Sequence, residues 1–278
     1  MWRYDHPSPF ALFPTFNAGA MSDTTLRTRS ISEIVDAAFA LYRRNAMQYI
    51  VITALATAPQ LILTLLIPGA TTPKAPGDLV RLLPIYVLAI ITYSLVAGVV
   101  MRMGSDVYLG EEPDIGRTVK KVLPRVPALI MGTFLTAMVA GVSLLLFILP
   151  VFYVIARFFA VQPAIVIENK GPLAAMSRSG VLSAGRKWPI LGTLALVWGI
   201  FMILSIGITV LAGLLGSTLL LLAVSSVFSI LVSPILHLVG VVLYYDMRIR
   251  AEGFDVEHMS RGLGITSTTP LPAIVPAA

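Results

Sequence analysis

Long apolar stretches alternate with short polar segments along most of the chain, and this alternation predicts six membrane-spanning helices. A helix needs roughly 20 apolar residues to cross a hydrocarbon core about 30 Å thick. The stretches near this length cover approximately residues 47–67, 82–101, 128–149, 151–167, 188–211 and 218–245. The sequence therefore predicts an all-α integral membrane protein.

A polar segment with helical apolar spacing precedes the first, third and fifth spans, which predicts three amphipathic helices in the membrane interface. The first begins at Ser30, and Glu33 follows at the spacing of a capping box. The segments cover approximately residues 30–44, 115–125 and 172–187. An amphipathic helix followed by a membrane hairpin thus occurs three times, and we expect this unit to organise the chain.

The predicted spans and amphipathic helices form one membrane domain over residues 30–258. Residues 1–29 carry several aromatic and proline residues but no apolar run of signal-peptide length, and Met21 offers an alternative start. Residues 259–278 are rich in Thr, Pro and Ala. Both terminal segments are predicted to be disordered extensions.

The composition agrees with a lipid environment, since 57% of the residues are hydrophobic and 12% are charged. A soluble domain has roughly 25% charged residues. The net charge of +6 comes from basic residues beside the spans, so attraction to anionic lipid headgroups explains it better than nucleic acid does. The absence of cysteine excludes disulfides and thiolate chemistry.

The basic residues predict the orientation of the spans, because cytoplasmic loops carry an excess of Lys and Arg. With six spans, 17 of the 20 Lys and Arg residues fall on the face that carries both termini. Only Lys74 and Arg81 fall on the opposite face, and Arg157 lies within the fourth span. Both termini are therefore predicted to be cytoplasmic. With an odd number of spans, the basic residues would instead be distributed over both faces of the membrane.

A basic pair lies in the second half of each amphipathic segment, close to where the chain enters the membrane. A juxtamembrane Lys or Arg is attracted to an anionic leaflet by about 1 kcal/mol. We therefore expect membrane lipids, anionic ones above all, as partners. The candidate headgroup contacts are Arg43, Arg44, Lys120, Lys121, Arg186 and Lys187.

Two ionisable residues, Arg157 and His237, lie well inside predicted spans and are candidates for an intramembrane polar site. One hypothesis is a polar cavity or lipid-headgroup site shared by both. The other is structural: Arg157 bonds to carbonyl groups near Pro150 or Pro234, and a neutral His237 bonds to Ser233 or to a carbonyl group. Arg157 is expected to face the sixth span in either case.

The segment after the sixth span alternates in charge, which is typical of a salt-bridged helix end. The alternative is a docking surface for a protein partner at the cytoplasmic face. The residues concerned are Asp246, Arg248, Glu252 and Asp255. Tyr244, Tyr245 and Trp188 lie at predicted membrane interfaces, where aromatic residues act as anchors.

Three motifs carry a family likeness: ISEIVDAAFALYRRN, FAVQPAIVIENKGPLAAMSRSGVLSAGRKW and LYYDMRIRAEGFDVE. Over about residues 30–258 the chain resembles the membrane domain attached to some bacterial glycerophosphodiester phosphodiesterases, and stand-alone bacterial inner-membrane proteins with the same pattern. The resemblance implies a bacterial inner membrane location. In the fused proteins a soluble barrel carries the hydrolase chemistry, and these 278 residues contain no such domain.

The residues give no sign of catalysis. Hydrolysis of a phosphodiester would need carboxylates and histidines around a metal, whereas His6 and His258 lie in predicted tails and His237 in a span. We find no cofactor motif and expect no enzyme activity. The sequence favours a non-enzymatic protein that engages anionic lipid and organises membrane or a partner. The alternatives are a transporter or lipid conduit using Arg157 and His237, and an accessory module of a separate phosphodiesterase.

Overall fold

The computed structural model describes residues 26–67, 76–146, 148–214 and 216–254, and the regular elements in these ranges are helices. A 3₁₀ turn at Leu123–Arg125 joins the fourth helix to the fifth. The helices are α1 (Ile31–Arg44), α2 (Ala46–Leu66), α3 (Pro76–Tyr108), α4 (Ile115–Val122), α5 (Val126–Leu146), α6 (Ile148–Phe158), α7 (Val161–Ile167), α8 (Pro172–Leu182), α9 (Lys187–Leu214) and α10 (Thr218–Glu252).

Six segments of the described chain are long and apolar enough to cross a membrane. They correspond to α2, α3, α4 continued by α5, α6 with α7, α9, and α10. The prediction of an all-α membrane protein with six spans is therefore confirmed. Most of the predicted terminal extensions, residues 1–25 and 259–278, lie outside the described residues.

Two of the spans continue well past their predicted ends. The third helix runs to Tyr108 and the last to Glu252, rather than stopping near residues 101 and 245. After each of these two helices a glycine, Gly110 or Gly253, turns the backbone to positive φ, of 84° and 63°, which glycine adopts without steric cost. Both helices therefore carry polar side chains out of the apolar region as regular extensions.

The fourth span is broken between α6 and α7. The ring of Pro163 cannot donate a backbone hydrogen bond and clashes with the carbonyl group four residues earlier, at Phe159. Ser179 of α8 satisfies the groups that the break frees. Its hydroxyl donates to the carbonyl oxygen of Arg157 at 2.7 Å and accepts from the backbone nitrogen of Ala160 at 3.0 Å.

Short helices occur at the three predicted amphipathic positions. The predicted capping box of α1 is present, because Ser30 and Glu33 bond to each other's backbone nitrogens. The third helix, α8, ends at Leu182 rather than near residue 187, and Gly185 follows with a φ of 69°. The end of the bundle that carries α1, α4 and α8 is here named the polar end.

Tight packing is concentrated near the polar end. The buried residues of α2 lie at its start, as with Tyr49 and Ile52, and those of α10 lie from Ile235 onwards. The buried residues of α9, such as Ile190 and Val197, lie in its first half, whereas later residues such as Ile203 and Val210 are exposed. One contiguous apolar core therefore joins the helices at the polar end.

Glycine allows the central helix α3 to approach its neighbours closely. A Cβ atom at Gly98 would lie 2.6 Å from Val122 of α4 and 2.8 Å from Leu129 of α5. A Cβ atom at Gly104 would lie 2.4 Å from Leu238 of α10. A larger residue at either position would require these side chains, or the helices that carry them, to shift, so α3 packs closely against α4, α5 and α10.

Candidate functional site

Glu168, directly after α7, is the centre of a cluster of charged and polar side chains at the polar end. Nε and Nη2 of Arg178 lie 2.9 and 2.8 Å from its Oε1, and the hydroxyl of Tyr244 donates to the same oxygen. Arg178 also bonds to Glu252, with Nη2 2.8 Å from Oε2, and Arg248 Nε lies 3.2 Å from that oxygen. These five residues, the Glu168 cluster, join α7, α8 and α10.

The Glu168 cluster is held in its charged form. Burial disfavours ionisation of Glu168, but hydrogen bonds from Arg178 and Tyr244 and the positive charges of Arg178 and Arg248 outweigh it. The pKa of Glu168 therefore falls below its usual value. Hydrogen bonds to Glu252 and Glu168 raise the pKa of Arg178, against the effect of burial. The arginine and the two carboxylates thus stabilise one another's charges.

Asp246 of α10 is the centre of a second cluster, and its side chain is only 1% exposed. Its Oδ1 accepts a hydrogen bond from the backbone nitrogen of Arg29 at 2.6 Å, and its Oδ2 lies 2.7 Å from Nε of Arg250. Arg250 Nη2 donates to the carbonyl oxygen of Arg29 at 2.8 Å. This Asp246 cluster fixes the residue before the cap of α1 to the last helix, so the predicted extension 1–29 includes a residue that belongs to the folded domain.

The two tyrosines of α10 are core residues rather than membrane anchors. Tyr244 and Tyr245 are 0% and 1% exposed, so the prediction that they lie at a lipid interface is wrong. The hydroxyl of Tyr245 lies 2.7 Å from Oγ of Ser105, and its ring stacks on Tyr108 with centroids 5.1 Å apart. Their hydroxyl groups find partners inside the protein, which explains why aromatic side chains with polar tips are buried here.

The predicted docking end is occupied by contacts within the chain. Asp246 is buried and paired, which contradicts its assignment to an exposed docking surface. Arg248 and Glu252 are partners in the Glu168 cluster, so the alternating charges serve helix pairing between α8 and α10. Asp255 lies outside the described residues.

Arg157 lies near the polar end and contacts α8. A Cβ atom at Gly180 would lie 3.1 Å from Nη2 of Arg157, so the guanidinium rests directly on this glycine. The expectation that Arg157 faces the sixth span therefore differs from the structure. The break after Phe158 ends α6 at the level of α8, which covers the arginine and bonds to its carbonyl group.

His237 is buried within the sixth span and contacts α3. Its Nδ1 lies 2.7 Å from the carbonyl oxygen of Ser233, and its ring centroid lies 5.7 Å from that of Tyr93. The neighbours of His237 are thus on α3 and α10, whereas those of Arg157 are on α8. The contacts of the two residues give no sign of a shared polar site.

A cleft of about 570 Å³ lies between α2 and α10, towards the end of the bundle opposite the polar end. Its polar lining consists of hydroxyl and amide groups from Thr57, Gln60, Thr64, Ser225, Ser226 and Ser229. Three of the hydroxyl groups donate to carbonyl groups one turn earlier in their own helix, as Thr57 does to Thr53 at 2.8 Å. The cleft is polar but uncharged, and neither Arg157 nor His237 lines it.

The six candidate headgroup contacts lie at the polar end, where α2, α5 and α9 begin. Five of them are exposed. Lys187 is half-buried, with its Nζ 4.6 Å from the centroid of the Tyr153 ring. Within the described residues, Arg43, Arg44 and Arg186 have no carboxylate at salt-bridge distance. The polar end therefore carries basic side chains whose charges face outwards.

A second pocket, of about 390 Å³, brings two of these residues together with others that we did not predict. Lys120 and Lys121 of α4 line it with Arg102 of α3 and Arg125 of the 3₁₀ turn. Val122, Pro124, Val166 and Asn169 complete the lining, which contains no carboxylate. We name it the basic pocket.

Comparisons with family models, with curated proteins and with solved structures gave no match. In the part of the chain that the structure describes, no group of three or more His, Asp and Glu side chains could hold a metal ion.

Sequence reasoning missed Glu168, Arg178 and Arg102 as site residues. The sequence did contain a signal for Glu168 and Arg178. A carboxylate directly follows an apolar span, and an arginine on a short predicted helix comes ten residues later. No local pattern distinguishes Arg102 from the other basic residues that follow a span, because its pocket is formed by α4 and the loop after α7.

Proposed function

We propose that this is a non-enzymatic protein of the bacterial inner membrane that binds anionic lipid through its polar end and organises the surrounding membrane or a partner. The observation that supports the proposal is the set of basic side chains in the last turns of α1 and α4 and at the start of α9, five of which are exposed. Basic side chains at a membrane surface attract anionic headgroups, and long Lys and Arg side chains reach that level from a helix end.

Retention of anionic lipid should depend on these charges. A variant with glutamine at all six positions is expected to lose most of the anionic lipid that remains bound after mild detergent extraction, while its helical content stays unchanged. The positions are Arg43, Arg44, Lys120, Lys121, Arg186 and Lys187. Native mass spectrometry of the purified protein measures the bound lipid. Equal lipid retention in the variant and the parent would refute the proposal.

The proposal places the polar end in the cytoplasm, and cysteine labelling tests this because the chain has no cysteine of its own. Leu214→Cys, at the opposite end, should react with a membrane-impermeant maleimide on intact cells. Glu112→Cys and Ala184→Cys should react only after permeabilisation. All three positions are exposed, whereas the neighbouring Ser183 is buried and would not report on topology. Labelling of Ala184→Cys on intact cells would show that the polar end faces the outside of the cell, and it would refute the proposed orientation.

A lipid conduit is the alternative, and the cleft between α2 and α10 is the observation that favours it. Its hydroxyl and amide groups could accept an uncharged polar headgroup, with Gln60 as its longest polar side chain. Passage of labelled lipid between the leaflets of reconstituted vesicles would favour this function over lipid binding alone. The role of accessory module to a separate phosphodiesterase rests on the family resemblance only.

A further inference from the structure

We propose that the basic pocket binds the phosphate of an anionic lipid headgroup that carries more than one negative charge. This inference rests on the proposed function and specifies both the site and the class of lipid. Phosphate oxygens are the ligands that clusters of Lys and Arg recognise, and basic pockets between spans on the cytoplasmic side suit phosphate-bearing headgroups.

The positive charges of the basic pocket are only partly neutralised by carboxylates of the protein. Arg102 has a partner, since its Nε lies 3.1 Å from Oδ1 of Asp106 on the same helix. Within the described residues, no carboxylate lies at salt-bridge distance from Lys120, Lys121 or Arg125. Four cations with one neighbouring carboxylate leave a net positive charge of about three, by counting Lys and Arg as fully charged at neutral pH. A headgroup with a single negative charge would neutralise only part of it.

The walls of the pocket are held by the apolar core and by a contact between the 3₁₀ turn and the loop after α7. Val122 and Val166 are 2% and 4% exposed, so the apolar side of the pocket is part of the core. Nη1 of Arg125 lies 3.3 Å from the carbonyl oxygen of Asn169, which adopts a φ of 56° in the loop after α7. This bond ties the 3₁₀ turn to that loop. Walls that are fixed by packing within the protein do not have to be ordered on binding, which favours affinity.

The position of the pocket points to a ligand that arrives from the membrane. It lies where α3 leaves the apolar region and where the span that includes α5 begins. Leu123, between the two lysines and Arg125, is 59% exposed. An exposed leucine next to a basic pocket fits a surface at which acyl chains and headgroups meet. A soluble phosphate compound shares the headgroup chemistry but gains nothing from this apolar edge.

The test compares lipids that differ in headgroup charge. Native mass spectrometry of the detergent-solubilised full chain gives the Kd for phosphatidic acid, phosphatidylglycerol and phosphatidylcholine with identical acyl chains. We expect the tightest binding for phosphatidic acid, whose phosphate monoester reaches a charge of −2. The variant Lys120→Gln with Lys121→Gln should weaken phosphatidic acid binding by about thirtyfold. Both lysines are exposed, so the variant should fold normally.

The matched control is Arg27→Gln with Arg117→Gln, which removes the same charge from side chains that are 52% and 66% exposed and belong neither to the pocket nor to the six headgroup contacts. It should weaken phosphatidic acid binding by less than about threefold, because only long-range attraction is lost. An equal loss in both double variants would refute the pocket and leave the proposed function standing. Equal Kd values for phosphatidic acid and phosphatidylglycerol would refute the charge preference.

Two further measurements test whether the protein prefers anionic lipid at all and whether the ligand of the pocket is a lipid or a soluble phosphate compound. If the parent binds phosphatidic acid no better than phosphatidylcholine, the proposed function fails together with the pocket. Glycerol 3-phosphate should not displace the lipid at concentrations near the lipid Kd. Displacement at such concentrations would overturn the lipid as the ligand and identify a soluble phosphate compound instead.

Discussion

Replacement of Arg178 by methionine is expected to lower the free energy of unfolding by about 3–5 kcal/mol, because two half-buried carboxylates lose the cation between them. The Arg178 side chain is only 17% exposed and bonds to both Glu168 and Glu252. Methionine retains an apolar stem of similar length, so the loss reports the charge and the hydrogen bonds. Denaturant unfolding of the detergent-solubilised protein measures the change.

Lys170→Met is the matched control for Arg178→Met. The Lys170 Nζ lies 3.6 Å from Oε2 of Glu168, but its side chain is 37% exposed. An exposed pair of this kind contributes at most about 1 kcal/mol. Similar losses in the two variants would show that the Glu168 cluster stabilises the fold no more than a surface ion pair does.

The same cluster predicts how the stability depends on pH. The pKa of Glu168 is lower in the folded protein than in the unfolded chain, so its ionisation stabilises the fold above the unfolded value of about 4.3. This contribution is lost as the pH falls through the folded pKa. The parent should therefore lose stability below about pH 4. Arg178→Met should lose less over the same range, because it lacks the main donor that lowers the pKa of Glu168.

Asp246→Asn is expected to destabilise the protein by a similar amount, about 3–5 kcal/mol, because it leaves the Arg250 guanidinium without a counter-charge. Asparagine keeps an oxygen that can accept the hydrogen bond from the backbone nitrogen of Arg29. The substitution therefore isolates the loss of negative charge at a site that is 1% exposed. Thermal unfolding followed by circular dichroism should show a clearly lower Tm.

Two companion variants define the cause of that loss. Asp246→Asn combined with Arg250→Met should recover part of the stability, because the unpaired charge is removed as well. Asp114→Asn removes a carboxylate whose side chain is 53% exposed, and it should have a much smaller effect. A single Asp246→Asn variant that is as stable as Asp114→Asn would contradict the role assigned to the Asp246 cluster.

The spans and the capping box could be predicted because their determinants are local. Length and hydropathy define a membrane helix, and the Ser30–Glu33 spacing defines the start of α1. The partners of the polar residues could not be predicted in the same way. Tyr244 and Glu168 are 76 residues apart, and only the packing of α10 against the loop after α7 brings them together.

The misplacement of Arg157 and of the two tyrosines has one physical origin. Arg157 was expected to face the sixth span and the tyrosines to face the lipid interface, because the position of a residue within its own span gives no information about the short helices and loops that pack over the span ends. The structure instead places α8 over the end of α6 and buries Tyr244 and Tyr245 against α3 and the loop after α7. The depth of a residue in the membrane can be estimated from the sequence, whereas the burial of its side chain by neighbouring helices cannot.

The two clusters at the polar end also constrain how the protein matures during synthesis. Asp246 is 217 residues from its partner Arg29, and Glu252 is 74 residues from Arg178. At roughly 5–20 residues per second, the ribosome needs about 10–45 s to pass from the first partner of the Asp246 cluster to the last. The five earlier spans therefore enter the bilayer before α10 emerges. The contacts of the two clusters can form only after α10 has been synthesised. Truncation within α10 would therefore leave a protein that is inserted in the membrane but lacks these contacts at its polar end.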